Sequence, residues 1–163
     1  HRSNSITMGL EIERKFLLKN NDWKGATTEA IAIKQGYLNT EKERTVRVRT
    51  YGDQGILTIK GKNNNLTRKE FEYAIPLSDA LEMLKIAEQP TIEKTRHLVK
   101  HNNHTWEIDV FEGVNNGLIV AEIELGSETE KFDLPSWIGE EVSSDPRYYN
   151  ASLIALPFTH WDK

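Results

Sequence analysis

The feature that most constrains this chain is an alternation in which the polar positions are almost all charged. "TVRVRTYG" sets Thr45, Arg47 and Arg49 on one side and Val46 and Val48 on the other. "GILTIKGK" opposes Leu57 and Ile59 to Thr58, Lys60 and Lys62. "RKEFEYAI" sets Phe71, Tyr73 and Ile75 against Glu70 and Glu72, and "EKTRHLV" carries Lys94 and Arg96 on one side. "HTWEIDVFEG" opposes Trp106, Ile108 and Val110 to Glu107 and Asp109, and "LIVAEIELG" opposes Ile119, Ala121, Ile123 and Leu125 to Glu122 and Glu124. Near the start, "EIERKFLL" aims Glu11, Glu13 and Lys15 one way. A period of two marks strands. The runs are separated by turn signals such as "YGDQG", "GKNNNL", "KHNNH" and Asn116-Gly117, so antiparallel hairpins are expected.

An antiparallel sheet with one wet face would show the same alternation. Here, however, the signs cluster by strand. From Lys42 to Lys69 there are eight basic residues against two acidic, and from Glu107 to Asp145 eleven acidic against one basic. Like charges at i and i+2 repel unless something neutralises them. Cross-strand pairs supply only about 0.2–1 kcal/mol each. The alternative is a closed barrel with the charged face inside and the apolar face covered by helices and loops. A dry charged interior costs several kcal/mol per ion. A ligand that completes the pairing removes that objection: basic strands suit a polyanion and acidic strands a hard divalent cation, and a metal-bound oligophosphate satisfies both.

The 163 residues suit one domain with a real core. A net charge of −4 argues against a general nucleic-acid binder. The absence of cysteine excludes disulfides and thiolate zinc sites. No apolar run approaches the roughly 20 residues of a membrane span. Residues 1–7, "HRSNSIT", read as a cloning remnant rather than a signal peptide, leaving residues 8–163 as a single, cytoplasmic domain. "PLSDALEMLKIAE" predicts a helix capped by Ser78 and followed by Pro90. A weaker helix is expected in "NDWKGATTEAIA", and a short C-terminal one in "DPRYYNASLIAL".

"EIERKF" resembles the Glu-x-Glu-x-Lys signature of the triphosphate tunnel metalloenzymes, the CYTH superfamily. "QGYL", "TVRVR", "LTIKG", "EFEY", "EKTR", "EIDVFEG", "AEIEL" and "EEVSSDPRYYNASL" resemble successive family blocks, so the likeness runs from Leu10 to about Leu156. It is nearest to small bacterial members that hydrolyse inorganic triphosphate. The resemblance implies an α+β, mainly β fold: an eight-stranded antiparallel closed barrel with a charged tunnel and flanking helices. It implies that Glu11, Glu13, Glu122 and Glu124 bind Mg²⁺ or Mn²⁺. It implies that Lys15, Arg47, Arg49, Lys60, Lys94 and Arg96, with Arg68 as a further member, bind the phosphate chain. Glu70, Glu72 and Asp109 resemble acidic tunnel residues that orient those bases or support a second metal. Water is the simplest nucleophile, activated by a second metal, by a tunnel carboxylate such as Glu13, Glu72 or Asp109, or with help from Lys94. The expected partner is a small polyphosphate, with no nucleic acid and no membrane, and the expected assembly is a monomer or homodimer.

Other residues point less directly to chemistry. His101 and His104 flank a turn, His97 falls on the face opposite Lys94, and His160 is near the terminus. Trp23, Trp106, Trp137 and Trp161 read as packing residues. Tyr148 and Asn150 either pack or narrow the tunnel mouth. The rival readings are a class IV-type adenylate cyclase, a thiamine, nucleoside or RNA triphosphatase, and a non-catalytic polyphosphate-binding module. The cyclases carry a His-Phe pair upstream of the signature where this chain has "SITMGL", and the complete acidic set favours an enzyme over a binding module.

Overall fold

The computed structural model describes residues 5–7, 12–64 and 67–162, with the backbone alone at 5–7, 63, 64, 67 and 68. The strands are β1 (Ser5–Thr7), β2 (Ile12–Leu18), β3 (Thr27–Asn39), β4 (Arg44–Tyr51), β5 (Gln54–Asn64), β6 (Thr67–Ile75), β7 (Ile92–His101), β8 (His104–Phe111), β9 (Ile119–Leu125) and β10 (Ile138–Glu141). The α-helices are α1 (Leu77–Ile86) and α2 (Asn150–Ala155). The fold is therefore mostly β, with an antiparallel sheet and two helices. Among the described residues no helix is long and apolar enough to cross a membrane.

The chain divides into two compact units, Ala32–Glu93 with the first ten residues, and Glu11–Ile31 with Lys94–Lys163. In the first, strands neighbour one another in the order β1-β6-β5-β4-β3; in the second the order is β3-β7-β8-β9-β2-β10, with β3 contributing to both. Among the described residues there are ten strands, against the eight expected, and no described pairing closes either run into a ring. The two additional strands are β1, three residues long, and β10, four residues long. Segments that short carry no period to read.

In the first unit the β4–β5 ladder places Arg47 opposite Thr58 and Val48 opposite Leu57. Helix α1 covers the valine side. Ala80 and Leu84 pack on Val48, with Leu38, Leu57, Ile75 and Met83 around them. Full burial of one such aliphatic side chain is worth about 1.5–3 kcal/mol. Gly36 permits the close approach, since a Cβ there would lie 2.9 Å from Ala87 Cβ and 3.3 Å from Leu84 Cδ2. The helix begins one residue before the expected cap. Pro76 holds the cap position with φ −57° and no side-chain cap, because its ring already fixes the entry dihedral, and Ser78 lies inside the helix.

In the second unit the apolar side of β2, β8 and β9 forms a core of Phe16, Trp106, Ile108, Ala121 and Ile123, closed by Trp23 and Trp137. Trp106 meets Phe16, Phe132 and Trp137 edge-on at 5.5, 5.9 and 5.8 Å. The helix expected in "NDWKGATTEAIA" is only a 3-10 turn, Asp22–Ala26. From Thr27 the chain is extended, because Ile31 and Ile33 are buried at strand spacing and β-branched residues favour that state. The β7–β8 hairpin turns at Asn102, whose φ of +56° asparagine tolerates. The C-terminal helix is split into a 3-10 turn at Pro146–Tyr148 and the short α2.

Gly36→Ala tests the helix seating. Overpacking costs about 1–3 kcal/mol, against roughly 0.5–1 kcal/mol regained from chain entropy. A net fall in the urea midpoint is expected, and an unchanged midpoint would mean that α1 can shift off β3 and β4.

Candidate functional site

In the second unit the charged positions of four neighbouring strands share one face. Register sets Arg96 opposite Asp109 across β7–β8, Glu107 opposite Glu122 across β8–β9, and Lys15 opposite Glu122 and Glu13 opposite Glu124 across β2–β9. At its centre Asp109 is 1% exposed and Lys94 2%. Lys94 Nζ lies 2.7 Å from Asp109 Oδ2. Arg96 donates from Nε to Asp109 Oδ1 at 2.9 Å and from Nη2 to Oδ2 at 3.1 Å, while its Nη1 reaches Glu107 Oε2 at 3.4 Å. This two-point fork is a geometry that arginine supplies and lysine does not.

The protonation states follow from these contacts. Burial alone would raise the Asp109 carboxyl, but Lys94 and Arg96 outweigh it and hold it down at about 2. Burial works against the Arg96 guanidinium, yet Asp109 and Glu107 drive its pKa upward. Glu107 is pushed up, mainly by burial. Glu122 is pushed up to about 7, first by burial and then by the Glu13 charge, against the pull of Lys15. Lys15 Nζ lies 3.5 Å from Glu122 Oε1 and 3.4 Å from the Tyr148 carbonyl, 5.6 Å above the Tyr149 ring.

The first unit has its own charged face. Arg47 donates from Nη2 to Thr58 Oγ1 at 3.2 Å, and Thr58 Oγ1 donates to Glu72 at 3.4 Å. Arg49 lies over the Tyr51 ring at 5.3 Å. Lys60 stands opposite Glu70 on the same side of the β5–β6 ladder. Glu11 and the Arg68 side chain lie outside the described residues. Three contributors were not among the site residues expected from sequence. Glu107 carries the parity of Asp109, which was a usable signal. Thr58 looked like an ordinary strand threonine, and the Tyr148 carbonyl has no sequence signature.

His97 lies on the far side of β7, its ring 5.1 Å from Trp23, and burial lowers its pKa. His104 pairs with Glu130 at 2.7 Å beside the hairpin turn. Tyr148 packs edge-on against Trp161 at 5.1 Å.

The carboxylates supply hard oxygen donors. Two like-charged pairs, Glu13 with Glu124 and Glu107 with Glu122, stand directly opposite, an arrangement that a cation relieves. Among the described residues no three carboxylate or imidazole groups converge into a metal cluster. Mg²⁺ does not require one, because it typically keeps several waters and binds through one or two carboxylates and substrate phosphate. The donor chemistry therefore fits a hard divalent ion.

The profile of the CYTH domain matches residues 9–154, nearly the whole chain. The chain belongs to the CYTH family. Over 155 residues it is 43% identical to an inorganic triphosphatase of Acetivibrio thermocellus, covering 94% of this chain and 99% of that protein. An inorganic triphosphatase of Nitrosomonas europaea is 35% identical, over 90% of this chain and 99% of its own length. A crystal structure of an inorganic triphosphatase superposes on this CYTH chain with a TM-score of 0.69 at 34% identity, covering 88% of this chain and 93% of the other.

The raised Glu122 carboxyl makes metal-free stability depend on pH. Between the ordinary carboxylate range and about 7 the folded state holds a proton that the unfolded state releases. That contribution is present at low pH and lost as pH rises through about 7. The chelated protein should melt lower at pH 8 than at pH 5.5, and Glu122→Gln should flatten the difference. An equal slope in both proteins would contradict the assignment. Asp109 acts oppositely: its contribution is present above the ordinary aspartate range and lost only as pH falls towards 2.

Proposed function

We propose that this chain is a divalent-metal-dependent inorganic triphosphatase that hydrolyses the terminal phosphate of tripolyphosphate. The observation that carries this reading is the Lys94–Asp109–Arg96 network, buried on a strand face that also bears Lys15, Glu13, Glu122 and Glu124. Two cations against one carboxylate leave positive charge in a dry setting, which an anionic substrate completes. The inorganic triphosphatase names of two relatives, at 43% and 35% identity, support the substrate class.

In this reading the phosphate-binding cations of the second unit are Lys15, Lys94 and Arg96, and those of the first are Arg47, Arg49 and Lys60, with Arg68. Arginine forks take oxygens in two-point contact and lysines act as point charges. Asp109 is a positioning residue: held near 2 and spanned by two cations, it is too weak a base to accept a proton from water. Glu11, Glu13, Glu122 and Glu124 would hold Mg²⁺ or Mn²⁺, which would offset charge on the phosphoryl group and orient it. Water forms the new P–O bond and the terminal phosphoanhydride breaks, giving orthophosphate and pyrophosphate. The water proton passes to a carboxylate, and Glu72, bonded to Thr58 and outside the metal set, is the acceptor in this reading. Phosphoryl transfer of this kind depends chiefly on positioning and charge stabilisation.

Three strand aromatics are placed away from any base-stacking role. Trp106 is buried in the apolar core, and Phe71 and Tyr73 stand opposite Ile59 and Leu57, on the apolar side. None of these three is on a charged face; Tyr37 and Tyr51 share the arginine face of the first unit, where Arg49 already lies over the Tyr51 ring at 5.3 Å. Phosphate release should therefore show higher kcat/KM for tripolyphosphate than for ATP, with pyrophosphate a poor substrate, and should require Mg²⁺ or Mn²⁺. Equal turnover of ATP would overturn the inorganic reading. Loss of one charge-assisted phosphate contact costs about 1.5–3 kcal/mol, so Arg49→Ala and Lys94→Ala should each lower kcat/KM roughly 10- to 150-fold. Wild-type kinetics in both would remove these residues from the phosphate site.

A further inference from the structure

We propose that Gln35 is a direct ligand of the phosphate chain, donating from its side-chain amide. This inference rests on the triphosphatase reading and extends its ligand set by a neutral donor. On β3, Gln35 stands directly opposite Arg49 and Tyr37 opposite Arg47, so Gln35 shares the face of the two arginines. Gly36, between them, is held against Ala87 and Leu84 on the other side. That packing fixes the face to which Gln35 turns.

Gln35 is 1% exposed, and its Nε2 has no hydrogen-bond partner among the described residues. Arg47 Nε, on the same face, is likewise buried without a partner, although Arg47 Nη2 is bonded to Thr58. Buried polar groups are nearly always paired, and each exception calls for an explanation. Both orphans here are donors, so whatever completes them is rich in acceptors. The buried donors of Trp23, Trp106 and Asn115 have different surroundings. The Trp23 and Trp106 indoles sit in the apolar core of the second unit. Asn115 is tied through its own carbonyl to the Phe158 backbone amide. Among the described residues, Gln35 and Arg47 combine an orphaned donor with a cationic face.

A neutral amide suits this position. It adds a hydrogen bond to a phosphate oxygen without a further positive charge beside Arg47 and Arg49. The empty site therefore avoids added repulsion, at the expense of one buried N–H left without an acceptor. Removing that N–H should relax the empty protein and weaken the complex, two effects of opposite sign that a purely structural glutamine would not produce.

The test uses Gln35→Met, which keeps the length and loses the donor, and Gln35→Glu, which replaces the donor with a repelling carboxylate. Binding is read without turnover as the rise in melting temperature on adding tripolyphosphate with Ca²⁺, and KM is measured with Mg²⁺. Gln35→Met should melt no lower than wild type when empty, show a smaller ligand-induced rise, and raise KM about tenfold with kcat less affected. Gln35→Glu should lose most of the ligand-induced rise. Wild-type binding and KM in Gln35→Met would overturn the assignment. Should Gln35→Met fail to fold, wild-type binding by Gln35→Glu would overturn it instead. If the wild-type protein is neither stabilised by tripolyphosphate nor able to hydrolyse it, the triphosphatase reading itself falls. If wild type responds and both variants match it, only the Gln35 proposal falls.

Discussion

The second unit depends on one buried carboxylate. Asp109 has almost no exposure and faces two cations from the neighbouring strand. Removing three charges from water is costly, and the attraction between them repays that only when the geometry is good and the remaining polar atoms are bonded. Here the geometry is good, because the arginine spans both carboxylate oxygens while the lysine takes one from a second direction. The cluster is not neutral by itself. Glu107 approaches Arg96 more distantly, and burial raises its pKa. Part of the cationic charge therefore remains available to an anion, already desolvated and held in place.

The apolar sides of the sheets hold these charges in position. In one unit α1 seats on Val48 through Gly36; in the other Trp106, Phe16 and Trp137 close on β2, β8 and β9. A one-residue slip in any ladder would exchange the two faces and carry the charged set into the core. The apolar packing that resists such a slip therefore also fixes which arginines and carboxylates stand side by side. Stability resides on one face and chemistry on the other, and strand register couples them.

The charged faces are locally frustrated. Glutamates stand opposite glutamates across β2–β9 and β8–β9, and Glu122 titrates far above its ordinary range as a result of burial and its neighbour. An ordinary wet sheet would disperse such charges or pair them. In the second unit, glutamates on β2, β8 and β9 beside Lys94 and Arg96 on β7 suit a ligand of mixed character, a polyphosphate carrying a hard cation. This agrees with the inorganic triphosphatases to which the chain is related.

The alternation alone assigns β2 and β4 to β9, and it sorts Lys94, Arg96, Asp109 and Glu122 to the polar side of their strands. That much is local, since successive side chains of a strand point to opposite faces whatever surrounds them. The spacing of Ala80, Leu81 and Leu84 likewise suffices to mark α1. Depth and partnership are not local. Gln35 is fully buried, and its face is set by Gly36 meeting α1 some fifty residues further along the chain. The 3-10 turn at Asp22 gives way to strand because Ile31 and Ile33 find burial at a period of two, overriding a weak helical preference. The short strands β1 and β10 exist only through their partners β6 and β2. Sequence thus determined which residues share a face. Only tertiary structure decided which of those charges lie dry and which carboxylate holds them, because burial and pairing depend on segments distant in the chain that meet only when it folds.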